Sequence, residues 1–159
     1  MQFAALILLH KSRATLGAAE LGVMQRKKGD QPVGQAIGNV KWVLRIEGLA
    51  ILTFALFFYS YVGFNWATFF IYFLLPDLSF LGYIFGNKVG AITYNCAHSY
   101  IGPVIVFSLF LNSGIELFHI IGLIWAAHIG FDRALGYGLK YEKGFSYTHL
   151  GKIGKEKNA

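Results

Sequence analysis

The stretch LRIEGLAILTFALFFYSYV, residues 44–62, decides how this chain is read. A helix needs about 20 mostly apolar residues to cross the hydrocarbon core of a bilayer, and this stretch supplies them. Three more follow it: 65–85 (NWATFFIYFLLPDLSFLGYIF), 89–111 and 115–139. The breaks are short: Gly63-Phe64, Gly86-Asn87-Lys88 and Asn112-Ser113-Gly114. Turns that tight force sequential neighbours to run antiparallel. The apolar runs are continuous, without the alternation of a membrane barrel. The expected fold is an all-α integral membrane bundle of four antiparallel transmembrane helices over residues 44–141. A segment at 1–43 precedes it and a basic tail at 142–159 follows.

Composition agrees. The chain has 159 residues, 55% apolar and 14% charged, where a soluble domain carries roughly 25% charged residues. Such a chain is not disordered, which would need low hydrophobicity and high charge. The single cysteine, Cys96, excludes an internal disulfide framework and a cysteine zinc cluster. The length fits one domain.

The net charge of +6 sits at the two ends. Between Ile46 and Asp132 the only basic residue is Lys88. Lys11, Arg13, Arg26, Lys27, Lys28, Lys41 and Arg45 precede the end of the first turn of span one; Lys140, Lys143, Lys152, Lys155 and Lys157 follow span four. Cytoplasmic flanks carry the excess of Lys and Arg. Both termini are therefore expected on the cytoplasmic side of a cell inner membrane. Basic ends around an apolar middle do not make the basic face that nucleic acid requires. Residues 1–43 read as a cytoplasmic tail or as an interfacial amphipathic anchor.

Ionisable groups inside a span are costly and mark function. Span two holds Asp77, span three His98, and span four His128 and Asp132. At about 1.5 Å per residue, Asp77 lies roughly 12 Å from its inner end and His98 roughly 13 Å. Asp132 and His128 lie roughly 10 and 16 Å deep. The spans alternate in direction, yet these groups fall in one layer. His128 and Asp132 are four apart and share a helix face, as do Tyr94 and His98, with Asn95 beside them. Pro76 can kink span two next to Asp77.

Two His and two Asp make a plausible divalent metal set, with zinc or manganese suited to imidazole and carboxylate. The plainer reading is a hydrogen-bonded network inside the bundle. Glu47, near the inner end of span one, and His149 are candidates for proton transfer. Tyr94, Asn95, Arg133, Tyr137 and Lys140 are candidates for holding substrate. Basic groups at the inner end of span four can hold a phospholipid head group or a phosphorylated substrate. They also read as positive-inside anchors. Arg133 is expected to pair with Glu47 or Asp77 across the bundle.

The motifs LRIEGLAIL, LLPDLSFLGY, YNCAHSY, AHIGFDRALGYGLKY and THLG, in this order, resemble the small bacterial membrane family catalogued as domain of unknown function 4260. The resemblance implies that Glu47, Asp77, Tyr83, Asn95, His98, His128, Asp132, Arg133, Tyr137, Lys140 and His149 belong to the family's motifs. It implies a fold and no activity. Pro76-Asp77, His98-Ser99 and His128 with Asp132 are also faintly similar to the YdjM-type membrane-bound metal-dependent hydrolases. This chain has Ser79 and Phe80 where that pattern continues to a second Asp and a His.

Three functions follow as expectations. One is a metal-dependent hydrolase of a lipid-linked or phosphorylated substrate. Another is a non-enzymatic small transporter or an accessory subunit of a larger membrane complex. The last is a haem protein with His98 and His128 as axial ligands.

Overall fold

The computed structural model describes residues 34–154. The chain divides into units 1–34 and 35–159, and the fold below is that of the second. The segment read as a tail or anchor lies outside the described residues as far as residue 33.

Helix α1 (Asn39–Val62) begins upstream of the stretch that first marks it. It stops at Gly63, whose φ of 82° places it in the left-handed region while its N–H bonds to the Tyr59 and Ser60 carbonyls. Helix α2 (Trp66–Tyr72) starts where the Asn65 side chain accepts the Ala67 N–H at 2.7 Å. A 3-10 stretch covers Leu75–Phe85. Helices α3 (Asn87–Ala97), α4 (Ile101–Ser113) and α5 (Glu116–Leu135) follow. Strands β1 (Tyr147–Thr148) and β2 (Gly151–Lys152) pair antiparallel.

Two spans expected as continuous helices are broken. A proline has no N–H to donate, and its ring clashes with the carbonyl four residues earlier. Pro76 stands four residues after Tyr72, where α2 ends, and the chain continues in the tighter 3-10 form. Pro103 stands four residues after Ser99, inside the break between α3 and α4. There the Gly102 N–H turns to the Ser99 carbonyl at 3.3 Å, and the Ile101 N–H meets the Ser99 hydroxyl.

Among the described residues three stretches are long and apolar enough to cross a membrane: Asn39–Val62, Trp66–Phe85 and Asn87–Ser113. Helix α5 has 20 residues but falls outside that set. It carries Glu116, His119, His128, Asp132 and Arg133, and their polarity offsets its apolar face. The apolar stretches turn large side chains outward: Phe57, Phe70, Ile71, Ile84 and Phe85 are all exposed. In water such a surface would be an association site; against lipid it is solvated.

Helix α1 packs along α5, α5 also along α4, and the 3-10 stretch against α3. Close approach of α1 and α5 rests on two glycines. A Cβ on Gly48 would overlap the Arg133 side chain and lie 2.9 Å from the Ala134 nitrogen. One on Gly130 would lie 2.8 Å from the Gly48 carbonyl oxygen. Toward the Gly63 end, Tyr59, Phe64, Phe69, Leu123, Ile124 and Ala127 form the buried core.

The segment read as a basic tail is folded through residue 154. Gly136, with φ 97°, ends α5. The Asn95 amide then takes both backbone groups of Lys140: its Nδ2 donates to the Lys140 carbonyl at 2.9 Å, and its Oδ1 accepts the Lys140 N–H at 2.7 Å. Further on, the His149 carbonyl accepts the Ala36 N–H at 2.7 Å.

Candidate metal centre

The two broken spans each deliver one residue of the polar layer. Asp77 follows Pro76 at the start of the 3-10 stretch. His98 is the residue on which α3 ends. Helix α5 contributes His128 and Asp132 from one face. One ligand atom from each of these four side chains lies within 4.8 Å of the other three.

The closest approaches are well ordered. His98 Nε2 is 3.1 Å from His128 Nε2, 3.3 Å from Asp77 Oδ1 and 3.5 Å from Asp132 Oδ2. His128 Nε2 is 3.5 Å from Asp77 Oδ1. Ligands held tetrahedrally at 2.0–2.2 Å from a central ion stand about 3.3–3.6 Å from one another. Both histidines are about 1% exposed, whereas the Asp77 side chain is 33% exposed. Asp77 is thus the member through which the cluster meets its surroundings.

Neighbouring groups fix which atoms face inward. His98 Nδ1 lies 3.0 Å from the Tyr94 carbonyl oxygen. A carbonyl only accepts, so this nitrogen carries the proton, and a neutral ring then aims the Nε2 lone pair at the cluster. The Tyr94 ring stacks on the His98 ring at 3.7 Å, and its hydroxyl donates to Asp132 Oδ2 at 3.1 Å. One tyrosine therefore orients two of the four side chains from behind, the role that partners take around a metal where one is bound. Phe73 packs edge-on against His128. His128 Nδ1 is buried with no hydrogen-bond partner among the described residues.

The other expected residues are placed apart from the cluster. Asn95 is occupied by the Lys140 backbone. The Lys140 ammonium donates to the Phe145 carbonyl at 3.0 Å and sits over the Phe145 ring. Burial pushes its pKa down to about 8, partly opposed by the Asp132 charge. Tyr137 presents its carbonyl, not its ring, to Arg133. The Arg133 guanidinium bonds neither Glu47 nor Asp77: Nη1 donates to the Tyr137 carbonyl at 3.1 Å and Nη2 to the His98 carbonyl at 3.0 Å. The break at Ser99 frees that His98 carbonyl, which an unbroken helix would use internally.

Glu47 and His149 do not join the ligand group. They line a separate pocket of about 530 Å³ that also includes Arg133 and Tyr100. His149 Nδ1 accepts the Leu139 N–H at 2.8 Å. Burial, and then the nearby Arg133 charge, lower its pKa to about 4. A second pocket, of about 500 Å³, is almost wholly apolar. Pro76 and Ala97, the residues before Asp77 and His98, line it together with Leu75, Ile124 and Trp125.

An axial-ligand pair for haem needs a macrocycle between two imidazoles. The His98 and His128 nitrogens, 3.1 Å apart with two carboxylates beside them, leave no such gap. Tyr100 carries no sequence signal of its own. Only the break at Ser99 turns it toward Arg133 and Glu47.

A family model described as Domain of unknown function (DUF4260) matches residues 41–153. No curated protein and no solved structure matches the chain.

Proposed function

This chain belongs to the DUF4260 family, and from its site we propose that it is a membrane-embedded hydrolase dependent on a divalent metal. The observation that carries the reading is the convergence of Asp77, His98, His128 and Asp132, whose ligand atoms all lie within 4.8 Å of one another, with the contacts His98 and His128 make to each other, His98 to both carboxylates and His128 to Asp77 at 3.1–3.5 Å. Two carboxylates and two neutral imidazoles carry the charge that one divalent ion cancels. Within a bilayer that neutrality is valuable, because an isolated charge there is expensive.

Asp77 and Asp132 would hold zinc or manganese through oxygen, and His98 and His128 through Nε2. The ion would supply Lewis acidity and lower the pKa of a water molecule at the site. Tyr94 holds His98 and Asp132 in position. Arg133 fixes the His98 backbone. Asp77, the exposed member, faces the direction from which substrate arrives.

Helix α5 is read as a fourth span. Its contacts with α1 support an antiparallel pair: the Arg45 guanidinium donates to the Ala134 carbonyl, Gly48 meets Arg133, and Leu52 meets Gly130. Sequence number rises along one helix as it falls along the other. The charge pattern supports cytoplasmic termini. The apolar pocket beside Asp77 and His98 supports a substrate with a hydrocarbon chain, such as a phospholipid or a lipid-linked phosphate. The order of Pro-Asp, His-Ser and HxxxD motifs, similar to YdjM-type hydrolases, also favours hydrolysis.

The test is hydrolysis of phosphatidic acid and other lipid phosphoesters by purified protein, with zinc or manganese and then with chelator. Turnover that needs metal and is lost in Asp77→Asn supports the proposal. If metal binds but no phosphoester or acyl ester is cleaved, the hydrolase reading fails, and a transporter or accessory subunit takes its place.

A further inference from the structure

Arg133 is a buried cation whose guanidinium makes no ion pair among the described residues. It is 8% exposed, and both of its bonds go to neutral carbonyls, those of Tyr137 and His98. Among the described residues no carboxylate lies within ion-pair distance of its guanidinium. Burying an unpaired charge is costly, and proteins compensate such charges with a partner. Arg133 also lines the 530 Å³ pocket between the first half of α1 and the end of α5.

The same pocket holds a polar group with no hydrogen-bond partner among the described residues. The Tyr100 hydroxyl is buried and makes no hydrogen bond among the described residues. A third donor comes from His149. Its Nδ1 takes the Leu139 N–H, so the proton of the neutral ring sits on Nε2. Gly48 makes room, since a side chain there would overlap Arg133. Glu47, on the α1 wall, is the carboxylate among the residues lining the pocket.

We propose that this pocket binds a phosphate group, held by the Arg133 guanidinium with the Tyr100 hydroxyl and the His149 ring as further donors. Three donors from separate parts of the chain suit a tetrahedral oxyanion, and a guanidinium fork suits phosphate geometry. The group is either a lipid head-group monoester or free phosphate. The pocket shares Arg133 with the metal centre but none of its four ligands, so the proposal stands apart from the hydrolase reading.

The test uses the full chain in detergent with its metal left in place. One arm titrates inorganic phosphate by calorimetry. The other adds phosphatidic acid, with phosphatidylcholine as control, and counts bound lipid by native mass spectrometry. At least one probe is expected to bind once per chain. Binding should weaken about tenfold in Tyr100→Phe and in Arg133→Lys, since hydrogen bonds to a charged group contribute that much. Tyr100→Phe removes only an unpartnered hydroxyl, so it should fold, and it decides the matter alone if Arg133→Lys does not. Phosphatidic acid binding that free phosphate cannot displace identifies a head-group site. Displacement, or phosphate binding alone, identifies a site for free phosphate. Weakening in either variant supports the proposal. It is overturned if folded wild-type protein binds neither probe, or if both folded variants bind as wild type does. Asp77→Asn, which removes a metal ligand, should leave phosphate binding unchanged, so failure of the metal reading is separable.

Discussion

His98 Nε2 and His128 Nε2 face each other across 3.1 Å. They come from different helices, at a distance that suits either a shared metal ion or an N–H···N hydrogen bond between neutral rings. The Tyr94 carbonyl takes the His98 Nδ1 proton, leaving a lone pair on the facing nitrogen. In the proposed reading, an ion between the rings and the two carboxylates accounts for this arrangement. Zinc or manganese should then raise the unfolding temperature of wild-type protein. At a hundred times the dissociation constant the gain is about 2.7 kcal/mol. His98→Ala should show no metal-dependent rise, and an equal rise in that variant would place the ion elsewhere.

Tyr94→Phe tests the support behind the ligands. It keeps the ring stacked on His98 and loses the hydroxyl that donates to Asp132. Metal affinity should fall about 10–100-fold, the usual effect of removing a group that orients a ligand. Competition against a chromogenic chelator measures this directly. Unchanged affinity would mean that Asp132 is not a ligand.

Much of this site was legible in the sequence. The apolar stretches and the common depth of Asp77, His98, His128 and Asp132 need only composition and a helical rise. The resemblance to the family was carried by the same motifs. What escaped was set by prolines acting at a distance. Pro103 breaks the helix at Ser99, which frees the His98 carbonyl for Arg133 and reorients Tyr100. The Asn95 clamp on Lys140 and the pairing of β1 with β2 join residues far apart or weakly patterned, and no local periodicity signals them. Glu47 and His149 are candidates for proton transfer by residue type, but the pocket wall they share with Arg133 is set by the fold, and position along the chain does not reveal it.

Gly48→Ala probes the contact that sets α1 against α5. The added methyl would meet the Arg133 side chain and two backbone atoms, the Ala134 nitrogen at 2.9 Å and the Gly130 oxygen at 3.0 Å. Backbone yields less readily than a side-chain tip. A loss of about 1–3 kcal/mol is expected in denaturant unfolding, the range for overpacking. Wild-type stability would show that the helices separate at no cost.

The half-buried His149 gives the fold a pH dependence. Burial, followed by the Arg133 charge, depresses its pKa to about 4 from the ordinary 6.5, and the Leu139 N–H needs its bare Nδ1. Between these values the unfolded chain binds the proton and the folded chain does not, so stability rises with pH. Stability should therefore fall as pH drops from 6.5 toward 4. In His149→Gln the fall should be smaller over the same window, read as unfolding midpoint against pH. Parallel curves for the two proteins would contradict a neutral half-buried ring.

A resident metal ion at Asp77, His98, His128 and Asp132 would show itself in the metal content of the protein. Protein purified in detergent without chelators should be measured by inductively coupled plasma mass spectrometry beside Asp77→Asn and His128→Ala. One divalent ion per wild-type chain is expected, with most of it missing from both variants. Folded wild-type protein that holds no zinc or manganese, even after either is supplied, would contradict the metal centre and leave the four residues as a hydrogen-bonded network.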